Sequence, residues 1–302
     1  MFKLSKISIL VFLVCVLWNC SKKEEKKTET ILKGKASIVV DETLAPIIED
    51  QIAVFESYYD AKITIVAKSE LEVINSLLNQ ENNIAVLTRE LSENEKKVFE
   101  QKKIIPRTTK IAIDAIAFIA NKNTKDTLIA LNDVVSFIQG KSTEKIKGLV
   151  FDNPNSSSVR LLNTIAGIKT MRTNAVYSFK TNQEVLKFVA QNDGMIGVVG
   201  VNWLSQPSTS TQEYVDNITV LAVKALSGNG YFEPTQNNLA EGIYPLARDL
   251  FIVNCQGNSG LGMGFASFVA GDIGQRIILK SGLLPVTMPG RRLNIRKEIY
   301  NK

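Results

Sequence analysis

Four short stretches of this chain carry side chains able to hold an anion, and three of them lie where an apolar run gives way to polar residues. Asp41-Glu42-Thr43 follows the run Ala36 to Val40. Thr43 offers a hydroxyl, and the next backbone N–H groups open a helix whose unpaired first-turn donors suit negative charge. Thr88-Arg89-Glu90 follows Ile84 to Leu87. An arginine leaving a strand into a loop can fork onto an oxyanion through two parallel hydrogen bonds. Asp152 to Arg160 (DNPNSSSVR) follows Leu149-Val150-Phe151 and supplies Ser156, Ser157 and Ser158 at the start of another helix. Each stretch also has a plainer reading. Asp41 or Thr43 serves as an N-cap, Arg89 pairs with Glu90 or Glu93, and the serines form a solvated turn. The carboxylates of Asp41 and Glu42 repel an anion unless they point away from it.

The fourth candidate is Asp114, which interrupts the apolar segment Lys110 to Ala120 (KIAIDAIAFIA). An unpaired carboxylate is expensive to bury, so Asp114 requires a donor. Arg89 is one choice, as a structural ion pair. A protonated ligand is another. HPO₄²⁻ has a hydrogen to give and sulfate at neutral pH has none, so a buried acceptor would select the first and reject the second.

The elements that must position these groups alternate between strand and helix. Ala36 to Val40, Lys62 to Val66 and Ile84 to Leu87 are expected strands. Between them, Leu44, Ile47, Ile48, Ile52 and Phe55 fall at helical spacing, as do Leu71, Ile74 and Leu78. Ser92-Glu93-Asn94-Glu95 has the spacing of a capping box. Further along, Met195 to Val199 and Leu246 to Asn254 are predicted strands. Val134 to Ile138, Ser156 to Ile165 and Val185 to Val189 are predicted helices. Phe265 to Leu279 predicts one long amphipathic helix ended by Gly282, and Ser205 to Asn238 predicts loop and edge strand. The pattern calls for an α/β layer architecture with a mainly parallel sheet.

Composition removes several classes of chemistry. The chain has no histidine, which excludes Ser-His-Asp and Cys-His catalysis and every histidine-containing metal motif. No general base can be named, and an enzyme is not expected. No cofactor or metal is expected either. Gly260-Leu261-Gly262-Met263-Gly264 lacks the preceding strand and the following acidic residue of a dinucleotide fingerprint. The net charge of +6 falls to +4 without Lys3 and Lys6, is thinly spread, and argues against nucleic-acid binding.

The N-terminus looks like an export signal. Lys3 and Lys6 precede an apolar run, Ile7 to Trp18, that is short of the roughly 20 residues a spanning helix needs. Leu17-Trp18-Asn19-Cys20 is similar to a bacterial lipobox, in which Cys20 is lipidated. The alternative is an uncleaved anchor, or cleavage elsewhere. Ser21 to Thr30 (SKKEEKKTET) has no apolar residue and suits a flexible tether. Cys255 is then left without a partner, as a small buried hydrophobe.

Taken in order, seven stretches resemble the phosphate-binding proteins of ABC transporters, within the two-lobed periplasmic binding proteins. They are Val40 to Pro46, Thr88-Arg89, Ala112 to Asn121, Asn155 to Arg160, Gly194 to Gly200, Tyr244 to Leu250 and Phe268 to Pro285. The resemblance covers nearly all of 36–290. It implies a type II two-lobed fold, two α/β domains joined by two crossing strands. One lobe takes 34–113 with 248–302 and the other 114–247, after a signal at 1–19 and a tether at 20–33. It implies phosphate held between the lobes by Thr43, Arg89, Asp114, Ser156 and Ser158, with Thr88, Ser157 and backbone N–H groups beside them. It also implies a monomer, anchored to a membrane outside the cytoplasm, that passes phosphate to an ABC permease. The family's Gly-Ser-Gly-Thr is here Asn155-Ser156-Ser157-Ser158, and its Gly/Ser-rich first loop is Asp41-Glu42-Thr43. Those two differences leave open a membrane-tethered sensor or interaction protein with an altered or lost ligand.

Overall fold

The computed structural model describes residues 29–141 and 145–290. The signal segment, the Cys20 anchor, most of the tether and the last part of the chain lie outside the described residues. Strand β1 (Gly34–Asp41) leads through a 3-10 turn (Glu42–Leu44) into α1 (Ala45–Tyr58), with Pro46 tolerated in the first turn. β2 (Ala61–Lys68), α2 (Glu70–Leu78), β3 (Ile84–Leu87) and α3 (Glu93–Gln101) complete the first lobe's outgoing path. The capping box at the start of α3 forms as its spacing requires: the Ser92 hydroxyl accepts from the Glu95 amide and the Glu95 carboxylate accepts from the Ser92 amide.

Alternation along β1 explains the layering. Ile38 and Val40 join the core under α1, while Val39 points to the other face, beside Val73, Ile74 and Leu77 of α2 and Phe99 of α3. Period-two side-chain placement lets one strand serve two helical layers. Cys255 closes the second of these cores as expected; it is buried, and burial pushes its thiol up to about 12.

The long strand β4 (Arg107–Asn121) leaves for the second lobe. That lobe holds β5 (Leu128–Ala130), α4 (Leu131–Ile138), β6 (Leu149–Phe151), α5 (Ser157–Ile165), β7 (Val176–Ser178) and α6 (Asn182–Gln191). After β8 (Ile196–Gly200) come two short helices, α7 (Asn202–Ser205) and α8 (Gln212–Val215). Then follow β9 (Ile218–Val220), β10 (Ala222–Lys224), β11 (Tyr231–Phe232) and α9 (Gln236–Ala240). The chain returns through β12 (Ala247–Asn254) and ends its described part with α10 (Leu261–Ala270), α11 (Asp272–Lys280) and β13 (Leu284–Pro285).

The main sheet runs β2-β1-β3-β12-β4-β8-β6-β7. β1, β2 and β3 pair in parallel, as do β6, β7 and β8. β4 and β12 run antiparallel to their neighbours. The sheet is therefore mixed rather than mainly parallel, because the two crossing strands run opposite to each other, β12 against the parallel set of β3 and β4 against that of β8. β4 changes partners within one residue: Ala115 pairs with Ala247 of β12, and Ile116 with Gly200 of β8. That switch marks the crossing between lobes.

Two further expectations need correction. The single helix expected over Phe265 to Leu279 is two, α10 and α11, broken at Gly271. Gly271 is extended (ψ 174°) and its amide ends α10 on the Phe268 carbonyl, while Asp272 follows in the first turn of α11. Apolar periodicity alone misses such a break. The polar stretch after Ser205 is not only loop and strand, since it also contains α8 and α9. Both are brief, and Thr235 caps α9 by accepting from the Asn238 amide.

Candidate binding site

The carboxyl ends of β1 and β6 face one another across the lobes, and the crossing strands β4 and β12 run between them. Asp41, at the end of β1, caps the 3-10 turn: its Oδ1 accepts from the Thr43 amide at 3.1 Å and from the Thr43 hydroxyl at 3.0 Å. The plain N-cap reading of Asp41 therefore holds. The cap also fixes the Thr43 hydroxyl towards the other lobe, 3.3 Å from the Ser157 Oγ. Ser156 caps α5 by accepting from the Val159 amide, and this sets Ser157 and Ser158 in the buried first turn.

Arg248 occupies the centre. β12 is registered against β4 so that Arg248 and Asp114 are direct partners. Asp114 Oδ2 accepts from Arg248 Nε at 3.0 Å and from Nη2 at 2.8 Å. Arg248 Nη2 also donates to the Thr43 hydroxyl at 3.0 Å, and Nη1 to the Ser157 hydroxyl at 2.8 Å. These bonds engage most of the donors a guanidinium possesses. Arg248 is 7% exposed and Asp114 is fully buried. One arginine thus ties the first lobe, the crossing strand and the serine turn of the second lobe into a single hydrogen-bonded cluster.

Arg89 sits elsewhere and does not serve Asp114. It donates to Glu70 and, through Nη1 and Nη2 at 2.8 Å each, to both carboxylate oxygens of Glu95. Glu70 accepts in addition from Arg160 of α5 and from the Thr88 hydroxyl at 2.8 Å. Arg160 Nη2 also donates to Thr88 at 3.0 Å. Thr88 and Arg89 belong to this network at the cleft mouth, which joins α2 of one lobe to α5 of the other. A hollow of about 330 Å³ opens beside it, lined by Glu70, Arg89, Asn155, Ser156 and Arg160 among others.

Thr43, Asp114, Ser156, Ser157 and Ser158 are therefore brought together, while Thr88 and Arg89 stand at the rim. Arg248, Glu70 and Asn182 are not among the sequence-predicted candidates. Arg248 had a usable signal: Asp114 needs a donor, and Arg248 lies where the chain returns to the first lobe. Glu70 and Asn182 carried none, being ordinary helix-start residues in sequence.

Other contacts fasten the lobes around this cluster. Glu42 reaches across to the N-terminus of α6 and accepts from the Asn182 amide at 3.1 Å and from its side-chain amide. The Thr43 carbonyl accepts from Asn202 Nδ2 at 2.9 Å and Trp203 Nε1 at 3.1 Å. Gly200 permits this approach, because a Cβ there would lie 3.0 Å from the Thr43 carbonyl oxygen and 3.0 Å from Asn202 Nδ2.

Electrostatically the centre is rich in acids. Asp41, Glu42, Asp114 and Asp152 are all buried, and among the described residues Arg248 is the one buried arginine. Burial raises all four carboxyl groups above their ordinary range, against the pull of Arg248 on Asp41 and Asp114. Glu42 is pushed up to about 8 by burial and by Asp152, and Asp152 to about 7 by burial and by Asp41. Among the described residues, no group of acidic or cysteine side chains is arranged to hold a metal ion.

Two lobes that share crossing strands, with a buried polar cluster where they meet, define a cleft-type solute-binding protein. Comparison with known proteins gives the family. The chain belongs to the PBP superfamily, since residues 26–272 match the model of the PBP superfamily domain. It is 24% identical over 306 residues to a phosphate-binding protein PstS of Borreliella burgdorferi, covering 94% of this chain and 99% of that one. It is 27% identical over 241 residues to a phosphate-binding protein PstS of Staphylococcus epidermidis, covering 73% of this chain and 69% of that one. Solved structures share the fold. One is a phosphate ABC transporter substrate-binding protein of Clostridium perfringens with bound phosphate (TM-score 0.69, 20% identity, 84% of this chain and 100% of that one). Another is an ABC-type phosphate transport receptor of Vibrio cholerae (TM-score 0.61, 16% identity, 83% and 100%).

Proposed function

We propose that this chain is an extracytoplasmic lipoprotein, anchored through Cys20, that binds inorganic phosphate between its lobes and passes it to an ABC permease. It acts as a monomeric carrier, not as an enzyme, with lobes of 34–113 plus 248–302 and 114–247. The observation that carries this reading is the convergence of the Thr43 and Ser157 hydroxyls on the buried Arg248 guanidinium at the N-terminus of α5, where Ser158 is also buried. Hydroxyls, a guanidinium and first-turn N–H groups are the donors an oxyanion requires. The names of the relatives in Borreliella burgdorferi and Staphylococcus epidermidis point the same way. Arg89 and Thr88 act at the rim, in the contact that closes the lobes, and Asp114 acts by orienting Arg248. A thermal-shift titration tests the ligand: phosphate raises the melting temperature and sulfate does not. No response to millimolar phosphate would overturn the assignment.

A second reading is a tethered sensor or interaction protein whose cleft no longer loads a solute. It is favoured by the direct bonds of Thr43, Ser157 and Asp114 to Arg248, in which the donors for an anion already serve one another. Lobes that stay closed in solution scattering with and without phosphate would support it.

A further inference from the structure

The atoms left without partners around Arg248 are nearly all acceptors. Asn182 Oδ1, Asn202 Oδ1 and one carboxylate oxygen each of Asp41, Asp114 and Asp152 are buried without a partner, although Ser157, the Ala115 amide and Ser156 with the Asn153 amide support those three carboxyl groups in turn; Ser158 Oγ is the one hydroxyl in the set. A bare oxyanion brings more acceptors to such a wall, whereas each proton placed there converts an acceptor into a donor. The charges agree with this count. Around the site stand Asp41 from the end of β1, Glu42 from the turn after it, Glu70 from α2, Asp114 from β4, Asp152 just after β6 and Arg248 from β12. Glu70 is matched by Arg89 and Arg160, and Asp114 by Arg248. Asp41 shares the pull of Arg248 with Asp114, whereas among the described residues no ion pair is formed by Glu42 or Asp152, and Asn182, the partner of Glu42, is neutral.

Resting on the phosphate reading, we propose that anion binding in this cleft is proton-coupled, with Asp152, Asp41 and Glu42 taking protons from solvent as the oxyanion enters. An added negative charge in a buried site makes ionised carboxylates costlier, and protonation is the cheapest relief. Protonated carboxyls then donate to the anion, which itself is best held in its singly charged form. No bond of the anion breaks, and the only species exchanged is H⁺ with water. With Asp152 at about 7 and Glu42 at about 8, both are ionised at least by half near pH 8, which is where the uptake can be read.

The test is calorimetry of phosphate binding near pH 8 in two buffers of different ionisation enthalpy, which counts protons taken up per phosphate. The anion itself can accept at most one proton on passing from HPO₄²⁻ to H₂PO₄⁻. The expected result is uptake above that limit, so that protons land on the protein, with affinity weakening by about tenfold or more per pH unit on the alkaline side. Asp152→Asn should take up fewer protons and flatten that slope. Phosphate binding with uptake of one proton or less, or with uptake unchanged in Asp152→Asn, overturns proton coupling and leaves phosphate binding standing. A folded protein that binds no phosphate from pH 5.5 to 8 overturns both.

Discussion

The cleft centre and the cleft mouth use the same residue types to opposite effect. At the mouth, Glu70 and Glu95 meet Arg89 and Arg160 in a balanced, partly exposed network. At the centre, Asp41, Glu42, Asp114 and Asp152 share one buried arginine. The mouth is electrostatically complete and works as a latch between α2 and α5. The centre is incomplete, and its unmatched acceptors are what a ligand or a proton must answer. Matched ions in partial solvent contribute little each, while unmatched ones in the interior dominate the response to mutation and pH.

The largest expected break in this contrast is Arg248→Met. It leaves Asp114 and Asp41 buried with no cation, and should cost about 3–5 kcal/mol in urea unfolding. Adding Asp114→Asn to it should recover part of that loss, because removing both partners is cheaper than orphaning one. If the double variant is no more stable than the single one, Asp114 is not the group that Arg248 serves.

The next effect is pH dependence. Glu42 at about 8 and Asp152 at about 7 hold protons more tightly in the fold than in the unfolded chain. Their contribution to stability is therefore fully present below their ordinary values near 4 and is lost progressively as pH rises from there through about 7–8. The melting temperature should fall across that window. Glu42→Gln should flatten the fall, and a wild-type melting temperature that climbs from pH 6 to 8 would contradict the assignment.

Gly200→Ala probes how tightly the lobes close at the centre. Its Cβ would crowd the Thr43 carbonyl and Asn202, so a loss of about 1–3 kcal/mol is expected. Scattering should show a more open molecule. The smallest effect belongs to the mouth. Arg160 is 36% exposed in its pair with Glu70, and Arg160→Gln should cost about 1 kcal/mol or less. Raising salt should shrink that difference further. A mouth variant as damaging as Arg248→Met would erase the distinction between latch and centre.

Local patterns carried most of the element map. The capping box at Ser92, the apolar periodicity of α1 and the strand–helix alternation all act within a few residues of chain, and each appears in the structure near its expected place. The break at Gly271 did not show, because the apolar pattern of Phe265 to Leu279 runs through it. For the site, the chain by itself determined that Thr43, Ser156, Ser157 and Ser158 sit at helix starts and that Asp114 must find a donor. Which donor was decided only by the tertiary structure. Arg89 was near at hand in sequence, yet the antiparallel register of β4 on β12 delivers Arg248, 134 positions away, to Asp114. The same holds for Glu70 with Arg160 and for Glu42 with Asn182. Helix caps and strand periods are set by the nearest turn of backbone, whereas a charge pairs with whatever the sheet register brings within reach.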